Sequence, residues 1–143
     1  METPESLTLE PEEQEWLDTA RGWIKGHFAN DPEKAYATIE GKLAVIRANL
    51  AQGWVGPEDT WKLQSLGVAL GDALAQDLML DWVTVDDEYG RQPALNWPGT
   101  SILLFPLTMI SQRIEEGEAL DIDTMYETTR ERLTEIAFSG DVE

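Results

Sequence analysis

The side chains best suited to chemistry in this chain are acids and indoles. Asp86, Asp87, Glu88, Tyr89 and Arg91 crowd one short stretch, and Trp97 follows soon after. Carboxylates this close together can hold a hard cation through oxygen ligands or offer a charged epitope, with Tyr89 as an aromatic anchor. The same residues also suit an ordinary turn, in which Asp and Gly supply the geometry and Arg91 pairs with a neighbouring acid. A helix–loop–helix calcium loop needs regularly spaced oxygen ligands, Gly at its sixth position and Glu at its twelfth. Neither Asp86 nor Asp121-Ile122-Asp123 opens one, so no metal site is expected.

Paired acids beside aromatic rings also serve glycoside hydrolysis. With 28 Asp+Glu and six Trp, such a pairing arises by chance, so abundance assigns nothing. The chain has no Cys and one His, His27. Thiolate nucleophiles, Cys-ligated zinc, iron–sulfur clusters and multi-His metal sites within one chain are therefore excluded. There is no Gly-x-Ser-x-Gly elbow, no phosphate-cradling loop with Lys and no dinucleotide fingerprint. No catalytic residue and no cofactor is expected. His27 reads as a packed or last-turn histidine, favoured there by the helix dipole. Arg113 suits an anion or, more simply, one of the many acids.

These residues need elements to position them. Residues 1–10 read as a flexible acidic tail and 11–140 as one α+β domain. Trp16, Leu17, Ala20, Trp23, Ile24, His27 and Phe28 recur at three- and four-residue spacing, which predicts a helix over 11–28 with Pro11 in its first turn. Asp31-Pro32 opens a second, in which Tyr36, Ile39, Leu43, Ile46 and Leu50 mark a stripe to about residue 51. A third follows Gly56-Pro57-Glu58-Asp59. Its apolar residues cover most of the circumference, so it is expected at the centre, and Gly67 and Gly71 imply that another backbone approaches closely.

After Leu80 the period changes. Trp82-Val83-Thr84-Val85, a turn at Asp87 to Gly90, Arg91 to Trp97 and Ile102 to Phe105 predict a three-stranded antiparallel meander, with Pro93 confined to a strand start or an edge. Two helices follow, one around Leu107, Ile110 and Ile114, the other carrying Ile122, Met125, Tyr126, Thr129, Leu133 and Ile136. Trp16, Trp23 and Trp61 lie on helical stripes and are expected in the core. Trp54, between glycines, and Trp97, before Pro98-Gly99, are candidates for an exposed surface.

The formal net charge is -18, from 10 Lys+Arg against 28 Asp+Glu. So negative a surface repels phosphate backbones and anionic lipids, so nucleic acid and membranes are not expected partners, whereas a basic protein is. Solubility or adaptation to salt explains the same charge without any function. The last segment, Glu115 to Glu143, carries ten acids and only Arg130 and Arg132 as cations. Met1 to Ser6 lack the basic and apolar regions of a secretory signal, which leaves the cytoplasm as the expected compartment.

Leu66-Gly67-Val68-Ala69-Leu70-Gly71, Asp87-Glu88-Tyr89-Gly90-Arg91, Pro93-Ala94-Leu95 and Phe105-Pro106-Leu107-Thr108-Met109-Ile110-Ser111 resemble the bacterial domain-of-unknown-function family 3806, over roughly residues 60–135. The resemblance implies a bacterial source and a shared fold, and carries no activity, cofactor or catalytic residue. From the residues themselves, the expected function is a non-enzymatic acidic protein-binding domain, of inhibitor or immunity type, with Asp86, Asp87, Glu88, Tyr89, Arg91 and Trp97 as contacts. The alternative is a small-molecule or carbohydrate-binding or hydrolysing protein using paired carboxylates with Trp97 or Trp54.

Overall fold

In the computed structural model, which describes residues 8–88 and 90–139, helices and strands alternate in blocks. Helices α1 (Pro11–Lys25), α2 (Pro32–Tyr36), α3 (Ile39–Ala51) and α4 (Thr60–Leu78) precede strands β1 (Asp81–Asp87), β2 (Gly90–Asn96) and β3 (Leu103–Leu104). Helices α5 (Leu107–Glu115) and α6 (Ile122–Ala137) follow. This is an α+β fold with an antiparallel sheet ordered β1-β2-β3.

The stripe expected to form one helix over 32–51 is divided between α2 and α3. Asp31 caps α2 by accepting the Lys34 N–H at 3.3 Å. The chain then leaves the helix, and the Thr38 hydroxyl accepts the Gly41 N–H at 2.9 Å to start α3. A side chain at Gly41 would collide with the carbonyl oxygen of Ala35. The three- and four-residue spacing passes through this joint unbroken, which conceals the break. Helix α1 also stops earlier than expected, at Lys25, and the N–H groups of His27 and Phe28 turn back to the carbonyls of Ile24 and Lys25.

Helix α4 occupies the centre, as its apolar circumference implies. Leu63, Leu66, Leu70 and Leu74 are fully buried, packed with Ile24 of α1, Ile46 of α3, Leu95 of β2 and Ile110 of α5. Each such side chain contributes roughly 1.5–3 kcal/mol on leaving water. Both glycines of α4 face close neighbours. A methyl at Gly67 would stand 2.5 Å from the Pro106 carbonyl oxygen and 2.8 Å from Leu107 Cα, so the backbone entering α5 fills that space. At Gly71 the neighbours are the Trp82 indole, 2.6 Å away, and the Pro106 ring, 2.8 Å away.

Asp72, next along α4, is a polar counterpart to this packing. Its carboxylate receives Arg21 Nε and Nη2 at 2.8 Å each, the Tyr36 hydroxyl at 2.5 Å and the Trp82 Nε1–H at 2.8 Å. One acid thus joins α1, α2, α4 and β1. Burial and the Asp72 carboxylate push the Tyr36 phenol far above its ordinary value. A smaller version ties α4 to α6, where Asp77 Oδ2 accepts the Tyr126 hydroxyl at 2.5 Å and Arg130 Nε at 2.8 Å.

In the sheet, Asp81 pairs with Asn96 and Asp87 with Gly90, so a two-residue turn closes the β1–β2 hairpin. Gly90 has φ +116°, which favours glycine. Pro93, expected at a start or an edge, sits opposite Thr84 in mid-strand. The Thr84 N–H points outward, to the Thr8 carbonyl at 2.8 Å, so the absent Pro93 N–H would have faced away from β1. That side is uncovered, because β3 pairs only with Leu95 and Asn96. Residues 8–10, expected in the tail, lie beside β1, and the Glu10 N–H bonds the Thr84 hydroxyl at 2.9 Å. No helix among the described residues is long and apolar enough to cross a membrane.

Candidate functional site

Asp86, Asp87 and Glu88 are exposed at the hairpin tip. Tyr89 lies outside the described residues. Arg91 stands opposite Asp86 in the register, but its guanidinium pairs with α1. Nε meets Glu13 Oε2 at 2.9 Å and Nη2 meets Glu12 Oε1 at 3.6 Å. The Thr84 hydroxyl donates to the other Glu13 oxygen at 3.1 Å. The Arg91 hydrogen bond holds the Glu13 carboxyl below the usual range, against the opposing effect of burial. The pairing expected of Arg91 therefore reaches across the fold and brings the acidic first turn of α1 to the hairpin.

Trp97 does not join this group. It follows β2 at the far end, about 20 Å along the strand at ~3.3 Å per residue. It is partly buried, and its ring meets the Phe138 ring edge-on at 5.9 Å. The hairpin acids and Trp97 are thus two places on the molecule.

The aromatic surface lies elsewhere. Trp16 and Trp61 have ring centroids 6.3 Å apart, Trp61 and Trp23 5.9 Å, Trp23 and His27 4.6 Å, and His27 and Trp54 5.9 Å. Five rings from α1 and the turn after it, α4 and the loop after α3 form one continuous row. This corrects the expectation that Trp16, Trp23 and Trp61 are core residues. Trp16 and Trp23 are only partly buried and Trp61 is 40% exposed. Leu17, Ala20 and Ile24 take the centre of the α1 stripe, leaving Trp16, Trp23 and His27 on its flank, where an indole can bury its body and keep an edge in water. Trp61 sits in the first turn of α4, before that helix passes beneath its neighbours. Trp54 is 53% exposed, as its glycine-flanked loop implied.

His27 links the row. Its Nδ1 lies 3.0 Å from the Trp23 carbonyl oxygen, which can only accept, so Nδ1 carries the proton. Its ring stacks on Trp54 at 29°. Beside this stack, a cleft of about 210 Å3 opens between His27, Phe28 and Trp54 on one side and Ala44, Val45 and Ala48 of α3 on the other. At the opposite end, a depression of about 250 Å3 touches Trp16, Glu13, Arg91 and Pro93. It connects the row to the hairpin.

The result is one strip, acidic at Asp86, Asp87, Glu88 and Glu12 and aromatic from Trp16 to Trp54. Indole faces attract guanidinium and ammonium groups, and nearby carboxylates add Coulombic attraction for the same cations. Among the described residues, no group of three or more acids or imidazoles is placed to hold a metal ion.

A central helix with two contact glycines, a three-stranded meander against it and peripheral helices pinned by the partly buried acids Asp72 and Asp77 define a small α+β domain. The chain belongs to the family described as Domain of unknown function (DUF3806), whose model matches residues 42–126. That range begins in α3, earlier than the motifs alone suggested, and ends in α6. It contains Trp54, Trp61 and the hairpin but not α1, so Trp16, Trp23 and His27 precede it. None of the curated proteins compared with the chain matches it. A crystal structure from Bacteroides thetaiotaomicron VPI-5482 is similar in fold, with a TM-score of 0.71 at 16% identity. The similarity covers 90% of this chain and 48% of that one, so the present chain spans about half its length.

Proposed function

We propose that this domain is a non-catalytic binding module of the bacterial cytoplasm that engages a basic protein through the strip from Asp86 to Trp54. The aromatic row carries the reading. Two indoles left 53% and 40% exposed, at Trp54 and Trp61, are the kind of rigid, amphipathic anchors on which binding energy concentrates. The charge of -18 supplies long-range attraction for a cationic partner and speeds encounter. Lys or Arg side chains of that partner would lie on the indoles, and an apolar side chain would enter the cleft beside Trp54. An inhibitor or immunity role is one use of such a surface. The paired-carboxylate alternative has less support, because the depression near Trp16 is lined by a single acid, Glu13, already held by Arg91, and the cleft near Trp54 by none.

Affinity capture from the source organism at low and high salt, followed by titration of the recovered partner, tests this. Trp54→Ala with Trp61→Ala should weaken binding at least tenfold while circular dichroism stays unchanged. Asp86→Lys, Asp87→Lys and Glu88→Lys together should slow association and flatten its salt dependence. A partner whose binding ignores both sets of changes would overturn the reading.

A further inference from the structure

Cations are scarce in this chain, and half of the ten hold a carboxylate at close range. Arg21, Lys25, Arg47, Arg91 and Arg130 each hold one within 3.0 Å. Lys34, Lys42, Lys62, Arg113 and Arg132 do not, and of these only the two arginines share a groove. Arg113 approaches Glu118 only at 4.0 Å, and Arg132 makes no ion pair among the described residues. Both line one groove of about 400 Å3 between the β3 segment, α5 and α6. Its apolar walls are Ile102 and Leu104 on one side and Leu133 and Ile136 on the other, with Thr129 between them, and no acid lines it. In a chain with nearly three acids per cation, a groove with two arginines and no carboxylate departs from the general pattern.

The groove follows from the spacing on α6. Thr129, Arg132, Leu133 and Ile136 fall three, four and seven residues apart, on one face. Leu133 is buried, but Ile136 is 44% exposed, so the apolar stripe runs past the end of the core and borders open space.

We infer that this groove binds a small amphiphilic carboxylate, its head between Arg113 and Arg132 and its hydrocarbon chain along Leu104, Leu133 and Ile136. Guanidinium groups present planar pairs of donors that match a carboxylate, and the Thr129 hydroxyl is a further donor at the rim. The volume falls in the range of small-molecule sites. An anion is repelled by most of this surface, so the acid-free groove is where it can settle, and the chain covers the apolar area left by Ile136. This site is independent of the aromatic strip.

Titration calorimetry with octanoate tests the assignment, with acetate (no chain), octanol (no charge) and an extended acidic peptide as comparisons. Octanoate should bind saturably and at least tenfold more tightly than acetate or octanol. Arg113→Gln with Arg132→Gln should cost at least tenfold. Ile136→Ser should weaken octanoate but not acetate, and Trp54→Ala should leave binding unchanged. Circular dichroism of each variant confirms that the fold is kept. Absence of saturable binding, indifference to the arginine changes, loss on Trp54→Ala, or binding of the peptide without octanoate would each overturn the inference.

Discussion

The indole N–H of Trp82 is bonded to Asp72 at 2.8 Å, while the ring of the same residue fills the space a side chain would need at Gly71. Two adjacent positions on α4 therefore fix one strand residue, the glycine by absence of bulk and the acid by a hydrogen bond. The hairpin is positioned through that contact, and with it the acidic end of the strip.

Replacing Asp72 by Ala should destabilise the domain by about 3 kcal/mol, the scale for removing one partner of a largely buried ion pair. Arg21, Tyr36 and Trp82 would lose their common acceptor. Urea denaturation measures this as a lower midpoint at unchanged slope. A cost below about 1 kcal/mol would mean that the three donors find other partners.

Gly67→Ala and Gly22→Ala should act in opposite directions. Both glycines are helical, and alanine is favoured there by about 1 kcal/mol. At Gly22 nothing stands within 4 Å of the added methyl, so stability should rise. At Gly67 the methyl meets the backbone of Pro106 and Leu107, and overpacking should cost about 1–3 kcal/mol. Thermal melts of the two variants give the comparison.

Acid should loosen the hairpin from α1. Glu13 titrates below its ordinary value because Arg91 bonds its charged form. A depressed carboxylate contributes stability above its unfolded pKa, about 4.3, and that contribution is lost as pH falls through the lower folded value. Asp121, held low by the Thr124 N–H at the start of α6, acts in the same direction below its own unfolded value, about 3.9. Glu13→Gln should remove part of the stability change below about pH 4.3, as read from denaturation at a series of pH values.

Alkali should act through the phenols. Tyr36 is raised by burial and by Asp72, and Tyr126 by burial and by its hydrogen bond with Asp77. Each contributes stability that is fully present below the ordinary phenol value, about 10, and lost as pH rises toward the folded one. Ultraviolet absorbance should show these two ionising together with unfolding. Ionisation of either in the native protein would show that its carboxylate contact opens.

The central helix and its glycines were legible in the sequence because apolar residues around a full circumference have one placement, and a glycine pair inside a helix needs a neighbour to justify it. The hairpin was legible because β-branched residues and Gly90 bracket a turn. The row of indoles was not. A helical period gives the angle of Trp16 and Trp23 on α1, but whether that angle is the centre or the flank of the buried face depends on what packs against it. The role of Asp72 was also hidden, since its partners Tyr36 and Arg21 lie 36 and 51 residues away and only folding brings them together. Arg91 was placed at the right turn with the wrong neighbours for the same reason.

The backbone bond from Thr84 to Thr8 bears on how copies of this domain behave in concentrated solution. β1 is the outermost strand, and the segment at residues 8–10 lies along it like selvedge on cloth. Shortening the chain beyond Glu10 would uncover main-chain groups able to pair with another molecule, opening a route to edge-to-edge aggregation.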